Sequence, residues 1–193
     1  MKRLKIIAIG TFAASAALWA FPLSALSESA QTPQETRDGQ HDFDFNFGTW
    51  KSHIKRILDP LSGSTKSIEL NGTVTVRKVW GGRAQWEEIE ADGPYGHWQG
   101  LTLFLYNPQA HQWSQSFVNS KDGVLTVPSI GAFKDGRGEL FAADTFNGRA
   151  ILVRGVWSDI KPDSHRYEES YSDDGGRSCE VDWVNRHTHG STL

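Results

Sequence analysis

A single cysteine, Cys179, occurs in the whole sequence. No intramolecular disulfide can form, and no paired-cysteine metal site exists, so the fold is held by its core. Other signatures are missing too. There is no Gly-x-Ser-x-Gly nucleophile elbow, no phosphate-binding loop and no dinucleotide fingerprint. No adjacent arginine pair marks the N-terminus and no cysteine follows its apolar run, which argues against twin-arginine export and a lipid anchor. Positive charge is scarce: the formal net charge is -3. A nucleic-acid partner would want a basic stripe, and an anionic membrane surface would repel such a chain. Beyond residue 42 no long segment carries a helical stripe of apolar residues.

What is present begins with a charged head, Lys2, Arg3 and Lys5, on an apolar run at 6–20. Pro22 breaks the run, and Ser24, Ala25, Ser27 and Ser29 follow. This is the pattern of a secretory signal peptide, with cleavage expected after Ser27 and alternatives after Ser29 or Ala30. The run falls short of the ~20 residues of a spanning helix. Loss of 1–27 removes three basic residues and no acidic one, taking the formal charge from -3 to -6. The expected layout is a signal peptide at 1–27, a flexible polar leader at 28–41, a β-barrel domain at 42–187 and a polar tail at 188–193. The mature chain is expected to be exported, periplasmic or extracellular, with no membrane span. Its roughly 165 residues suffice for one domain with a sizeable core.

The segment 41–50, HDFDFNFGTW, alternates Phe43, Phe45 and Phe47 with polar residues and closes on Gly48 and Trp50. Period-two alternation predicts a strand or an extended lead-in, with Trp50 plugging one end of a barrel. Short β-rich runs follow at 50–58, 67–80, 83–91, 97–106, 112–118, 124–127, 139–146, 149–160, 165–172 and 177–187. Gly81-Gly82, Asp122-Gly123, Asn147-Gly148 and Asp174-Gly175-Gly176 separate them as tight turns, and Pro128 confines 124–127 to an edge or an end. Hairpin after hairpin predicts an all-β fold: an antiparallel up-and-down β-barrel of about 8–10 strands, since closure removes the exposed edges. A two-sheet sandwich is the alternative, but Greek keys need longer crossings.

Four pieces in order carry a family resemblance: the Phe-rich Gly-x-Trp at 45–50, the Trp-Gly-Gly-Arg turn and acidic strand at 80–88, the Tyr-Asn-Pro turn and following Trp at 106–113, and the Asp-Gly-Gly turn with its Trp-containing last strand at 174–186. In these the chain resembles calycin-like (lipocalin-like) exported bacterial proteins, a domain family of unknown function, over essentially its whole mature length. Similarity to lipocalins implies that Trp50 stacks near a basic residue of the last strand, for which Arg186 is the nearest candidate. Some small calycin-like barrels bind haem through a strand histidine, and His165 or His187 is the position where that resemblance would place it.

The first functional expectation is a barrel cavity holding a small, largely apolar ligand. The candidate lining is Trp86, Glu88, Phe104, Tyr106, Phe117, Phe141, Asp144, Arg154, Trp157 and Tyr171, with strand parity open. Glu88 and Glu90 share the face of Trp86, while Glu87 shares that of Ile89, so one of these sets faces inward. The alternative is an enzyme with Glu88 or Asp144 as acid–base group and Arg154 stabilising an anion; exposure of these carboxylates on the outer wall would exclude it. A structural envelope module is a third possibility. Neither cofactor nor metal is expected: the close pair His187 and His189 is expected in a frayed tail, and Cys179, in phase with Val181 and Trp183, as a buried, inert thiol.

Overall fold

The computed structural model describes residues 37–189. The expected signal peptide and most of the leader lie outside the described residues.

Ten strands form one closed barrel: β1 (Gly48–Ile57), β2 (Ser67–Val79), β3 (Ala84–Gly93), β4 (Gly96–Asn107), β5 (Gln112–Asn119), β6 (Ser129–Lys134), β7 (Arg137–Phe146), β8 (Arg149–Lys161), β9 (Ser164–Ser172) and β10 (Glu180–Thr188). Each strand pairs antiparallel with its sequence neighbours, and β10 returns to β1, with His187 opposite Ser52 and Trp183 opposite Arg56. The up-and-down barrel expected from the hairpin signals is the observed fold. Side chains alternate between lumen and outer wall, as the pleat requires.

Turn chemistry explains the tight corners. Gly81 (φ 68°) and Gly82 (φ 103°) take the left-handed backbone that the β2–β3 turn demands. Gly131 on β6 serves a different purpose. A Cβ there would lie 1.8 Å from the Glu139 carbonyl oxygen of β7, so the two strands can approach only over a bare Cα. Gly131→Ala is expected to lower stability by about 1–3 kcal/mol, read as an earlier denaturant midpoint with unchanged slope.

Two elements differ from the sequence reading. Residues 43–46 are not a strand: Asp44–Asn46 form a single 3-10 turn, and β1 begins only at Gly48. The segment 124–127 is not one either. Its Val124 and Leu125 are exposed, and it is tied to β5 by Thr126, whose N–H donates to the Phe117 carbonyl and whose hydroxyl accepts from the Phe117 N–H. The pairing it was expected to supply comes from β6, after Pro128, and engages β5 only between residues 113–115 and 129–131. Proline lacks the N–H that a ladder would need at that point.

Candidate functional site

One end of the barrel is stoppered by the residues before β1. Phe43 is fully buried among Phe104, Trp113, Phe133 and Trp157, with ring centroids 4.8–5.5 Å away. Side chains of the wall stitch this plug by its backbone. The Trp113 indole donates to the Gly39 carbonyl (2.9 Å), Gln85 to that of Phe43 (3.0 Å) and the Trp50 indole to that of Asn46 (2.9 Å). The Gly39, Phe43 and Asn46 carbonyls thereby gain donors in place of water. Asp38, at the end of the expected leader, accepts a hydrogen bond from the Tyr106 hydroxyl.

Above the plug the barrel is hollow. A deep lobe of about 70 Å³ has Trp157, His187, Glu87 and Thr102 in its lining. A wider lobe of about 230 Å³ lies toward the opposite mouth, where Arg56, Trp98, Asp144, Tyr171 and Asp182 line it and residues 122–127 form part of its rim. Gln115, Phe117, Tyr167, Glu169 and Trp183 belong to both linings.

The ten candidate residues fall into three groups. Phe117, Asp144, Trp157 and Tyr171 line the cavity. Phe104 and Tyr106 face inward but are packed against the plug. Trp86, Glu88, Phe141 and Arg154 point to the outer wall, which corrects the expected lining. On β3 the inward set is Glu87 with Ile89, opposite Val76 and Val74 of β2. Trp86 is then left 36% exposed, and Glu88 pairs with Arg77 across the outer surface. On β7 the inward residues are Leu140 and Ala142, so Phe141 faces out opposite Arg154, which is paired with Glu139 at 2.8 Å. Arg154 therefore cannot stabilise an anion in the lumen, and Glu88 cannot act there as an acid.

The lumen holds carboxyl groups that alternation did not single out. Glu87 is buried, accepting from the Thr102 hydroxyl (2.8 Å) and the Asn46 amide (3.3 Å); desolvation outweighs both bonds and raises its pKa. Glu169 accepts from the Tyr167 and Tyr171 hydroxyls at 3.2 and 3.3 Å, and its pKa is also raised by burial. Asp182 is pushed up to about 8, first by burial and then by the negative charge of Glu169. Its position depends on a β-bulge: Val181 pairs with Ser170 and Trp183 with Glu169, leaving Asp182 as the extra residue. Both Asp182 and Trp183 consequently line the wider lobe.

The histidines also depart from expectation. His187 is buried in β10, its ring stacked on His165 with centroids 4.4 Å apart. Burial lowers the pKa of both, that of His165 to about 3. Ser52 donates to Asn185 (2.7 Å), whose amide lies 3.0 Å from His187 Nε2 and assigns the ring proton to Nδ1. His165 is enclosed by Phe45, Trp50, Trp157 and His187 and lines neither lobe, whereas His187 reaches only the deep lobe, which is smaller than a haem. His189 is not frayed: it stacks on Trp50 (3.8 Å), and its N–H donates to the Asp163 carbonyl. It takes the place expected for Arg186, which is exposed on the outer wall. Cys179 is exposed rather than buried, because β10 starts one residue later. Among the described residues no cluster of three or more His, Cys, Asp or Glu is placed to hold a metal ion, and no helix is long and apolar enough to cross a membrane.

A closed ten-stranded meander with a stoppered end and a lined lumen defines a calycin-like β-barrel. In solved structures the chain is similar to the S-type phycobiliprotein lyase CPES from Guillardia theta, at 12% identity over 82% of this chain and 96% of that one, with a TM-score of 0.55. It is also similar to EF1p2_mFAP2b bound to DFHBI (8% identity, 79% and 99% covered, TM-score 0.44) and to a de novo designed fluorescence-activating β-barrel (12%, 80% and 99%, TM-score 0.42). At 12% identity the likeness to the lyase is one of fold alone. No family model and no curated protein matches the sequence.

Proposed function

We propose that the protein is an exported binding barrel that holds one small molecule in its lumen, with the molecule's apolar body against Trp98, Phe117 and Trp183. The observation that carries this reading is the hollow itself. One end of the barrel is filled by the buried aromatic plug, while the other is left open over two adjoining lobes whose walls mix aromatic rings with a few polar groups. A barrel needed only as a scaffold gains nothing from the unfilled lobes. Export is supported by the charged, apolar and small-residue succession at the N-terminus, with cleavage after Ser27.

Native mass spectrometry of the mature protein, released from its expression host, tests the reading. A bound species of low mass that dissociates on activation is the expected result. Its displacement should change the emission of Trp98 and Trp183. Bare protein in every preparation, with Trp emission unmoved by a library of small aromatic compounds, would remove it.

A second reading is favoured by one observation: Glu169 and Asp182 are adjoining lumen carboxyls with raised pKa values. A carboxyl that keeps its proton near neutrality is a general acid, so acid–base catalysis on the bound molecule is the enzymatic alternative. Asp182→Asn would then abolish turnover while binding persists.

A further inference from the structure

We infer that the ligand is a small organic cation, an amine or amidine carried on a flat apolar body, with its charged head placed between Asp182 and Glu169. This rests on the reading that the lumen takes a small molecule, and it adds the ligand's chemical class.

Three features of the wall point the same way. The first is charge. The two lobes are lined by the carboxyl groups of Glu87, Asp122, Asp144, Glu169 and Asp182, and among the described lining residues Arg56 is the one side chain of fixed positive charge. His187, the remaining basic group of the lining, is neutral because burial lowers its pKa. Arg56 is close enough to act on both Glu169 and Asp182 but is outnumbered by the acids, so a cation can draw its counter-ions from them, whereas an anionic ligand finds one guanidinium.

The second feature is an unmet acceptor. Asp182 is only 6% exposed, and its Oδ1 has no hydrogen-bond partner. Buried acceptors are almost always paired, because leaving one without a donor sacrifices its hydration for nothing. A ligand N–H supplies the missing donor. Glu169 is prepared differently, with a tyrosine hydroxyl on each oxygen. Donors of this kind favour the carboxylate over the acid once a counter-charge arrives.

The third feature is the ring wall. Trp98 and Phe117 lie nearly parallel (17°) with centroids 5.9 Å apart, and Trp98 lies 5.5 Å from Trp183. The faces of indole and benzene rings attract cations as well as apolar surface. The bulge of β10 sets Asp182 beside Trp183, so carboxylate and indole enter the lumen together. When a cation binds, each protonated carboxyl that becomes its counter-ion releases one proton to solvent.

The test is calorimetry on the mature protein at pH 7 with two matched sets of probes. One set is 2-phenylethylamine, 2-phenylethanol and 3-phenylpropionate; the other is their naphthyl counterparts. In at least one set the amine should bind tenfold or more tighter than its alcohol, and its heat should vary with the ionisation enthalpy of the buffer, reporting proton release. Asp182→Asn should cut the amine-to-alcohol ratio severalfold, because Glu169 alone remains as counter-ion. Tyr171→Phe, which removes one donor from Glu169, should reduce it in part and serves as the reporter if the Asn variant does not fold. Alcohol or carboxylate binding as tightly as amine, or variants that keep the full preference, would overturn the cation assignment and leave the lumen as a binding site. Absence of binding by every probe would overturn the assignment together with the occupancy it rests on.

Discussion

Phe43→Ala is expected to destabilise the protein by about 3–5 kcal/mol, the cost of removing a fully buried phenylalanine from a well-packed site. In a domain of this size that corresponds to a fall in melting temperature of roughly 10 °C or more. The effect is large because the residue sits at the centre of the stopper. Its ring is 4.8 Å from those of Phe104 and Phe133, 5.0 Å from Trp113 and 5.5 Å from Trp157, so four strands lose a common partner. Phe141→Ala is the control. Phe141 is 40% exposed on the outer wall, and its loss should cost no more than about 1 kcal/mol. Thermal unfolding of the two variants side by side decides the matter. Equal losses would mean that the segment before β1 is not part of the core.

The second large effect is on the pH dependence of stability. Asp182 holds its proton up to about pH 8 in the folded protein, whereas an unfolded aspartate loses it near pH ~4. Between those values the native state binds more protons than the unfolded chain, so stability falls as pH rises. Glu87 and Glu169, also shifted upward, act in the same direction. His165 and His187 act in the opposite one. Their folded pKa values are depressed, that of His165 to about 3, while unfolded histidine titrates near ~6.5. Below ~6.5 the unfolded chain binds the extra protons, and the histidines lower stability as pH falls. The two trends oppose each other from ~4 to ~6.5 and act alone outside that window.

Stability should therefore be greatest in mildly acidic solution. It should drop by about 2 kcal/mol between pH 6.5 and 8 from Asp182 alone, at about 1.4 kcal/mol per proton per pH unit. It should also drop below pH ~4, where the stacked imidazoles resist protonation and the acids no longer compensate. Urea unfolding at pH 3.5, 5.5 and 8.5 measures all three regimes. Asp182→Asn, an isostere of the protonated acid, should match the parent at pH 3.5 and exceed it by a margin that grows from pH 5.5 to pH 8.5. A parent equally stable at 5.5 and 8.5 would show that these carboxyls are ionised and solvated in the fold.

The fold was largely legible because its signals are local. Asn147-Gly148, Gly81-Gly82 and the short spacing of β-rich runs specify hairpins through backbone sterics alone, and a chain of hairpins has few ways to hide its edges. The site was less legible, and particular residues show why. Alternation on β3 divides Trp86 and Glu88 from Glu87 and Ile89, but period two cannot say which set faces in. That choice was made by Asn46 and Thr102, distant in sequence, whose donors make a buried Glu87 tolerable. Asp182 was hidden more deeply, since a one-residue bulge breaks the alternation on which any inference of face depends. The plug was misread for a related reason. Phe43, Phe45 and Phe47 alternate as a strand would, yet no neighbouring strand remains to pair with them once β1 closes on β10, and the barrel end accepts their rings instead.

By itself, the sequence determined that the chain is built of hairpins, that a Phe-rich entry and Trp50 belong together, and that charge disfavours polyanionic partners. Turn propensities and net charge act at short range or by simple summation, so they survive without coordinates. Only the tertiary structure decided which carboxyls face the lumen, which histidines are buried as a stacked pair, and that two lobes of the interior are left hollow. Those outcomes depend on register, on a single inserted residue and on donors many positions away, which become neighbours only when the barrel closes.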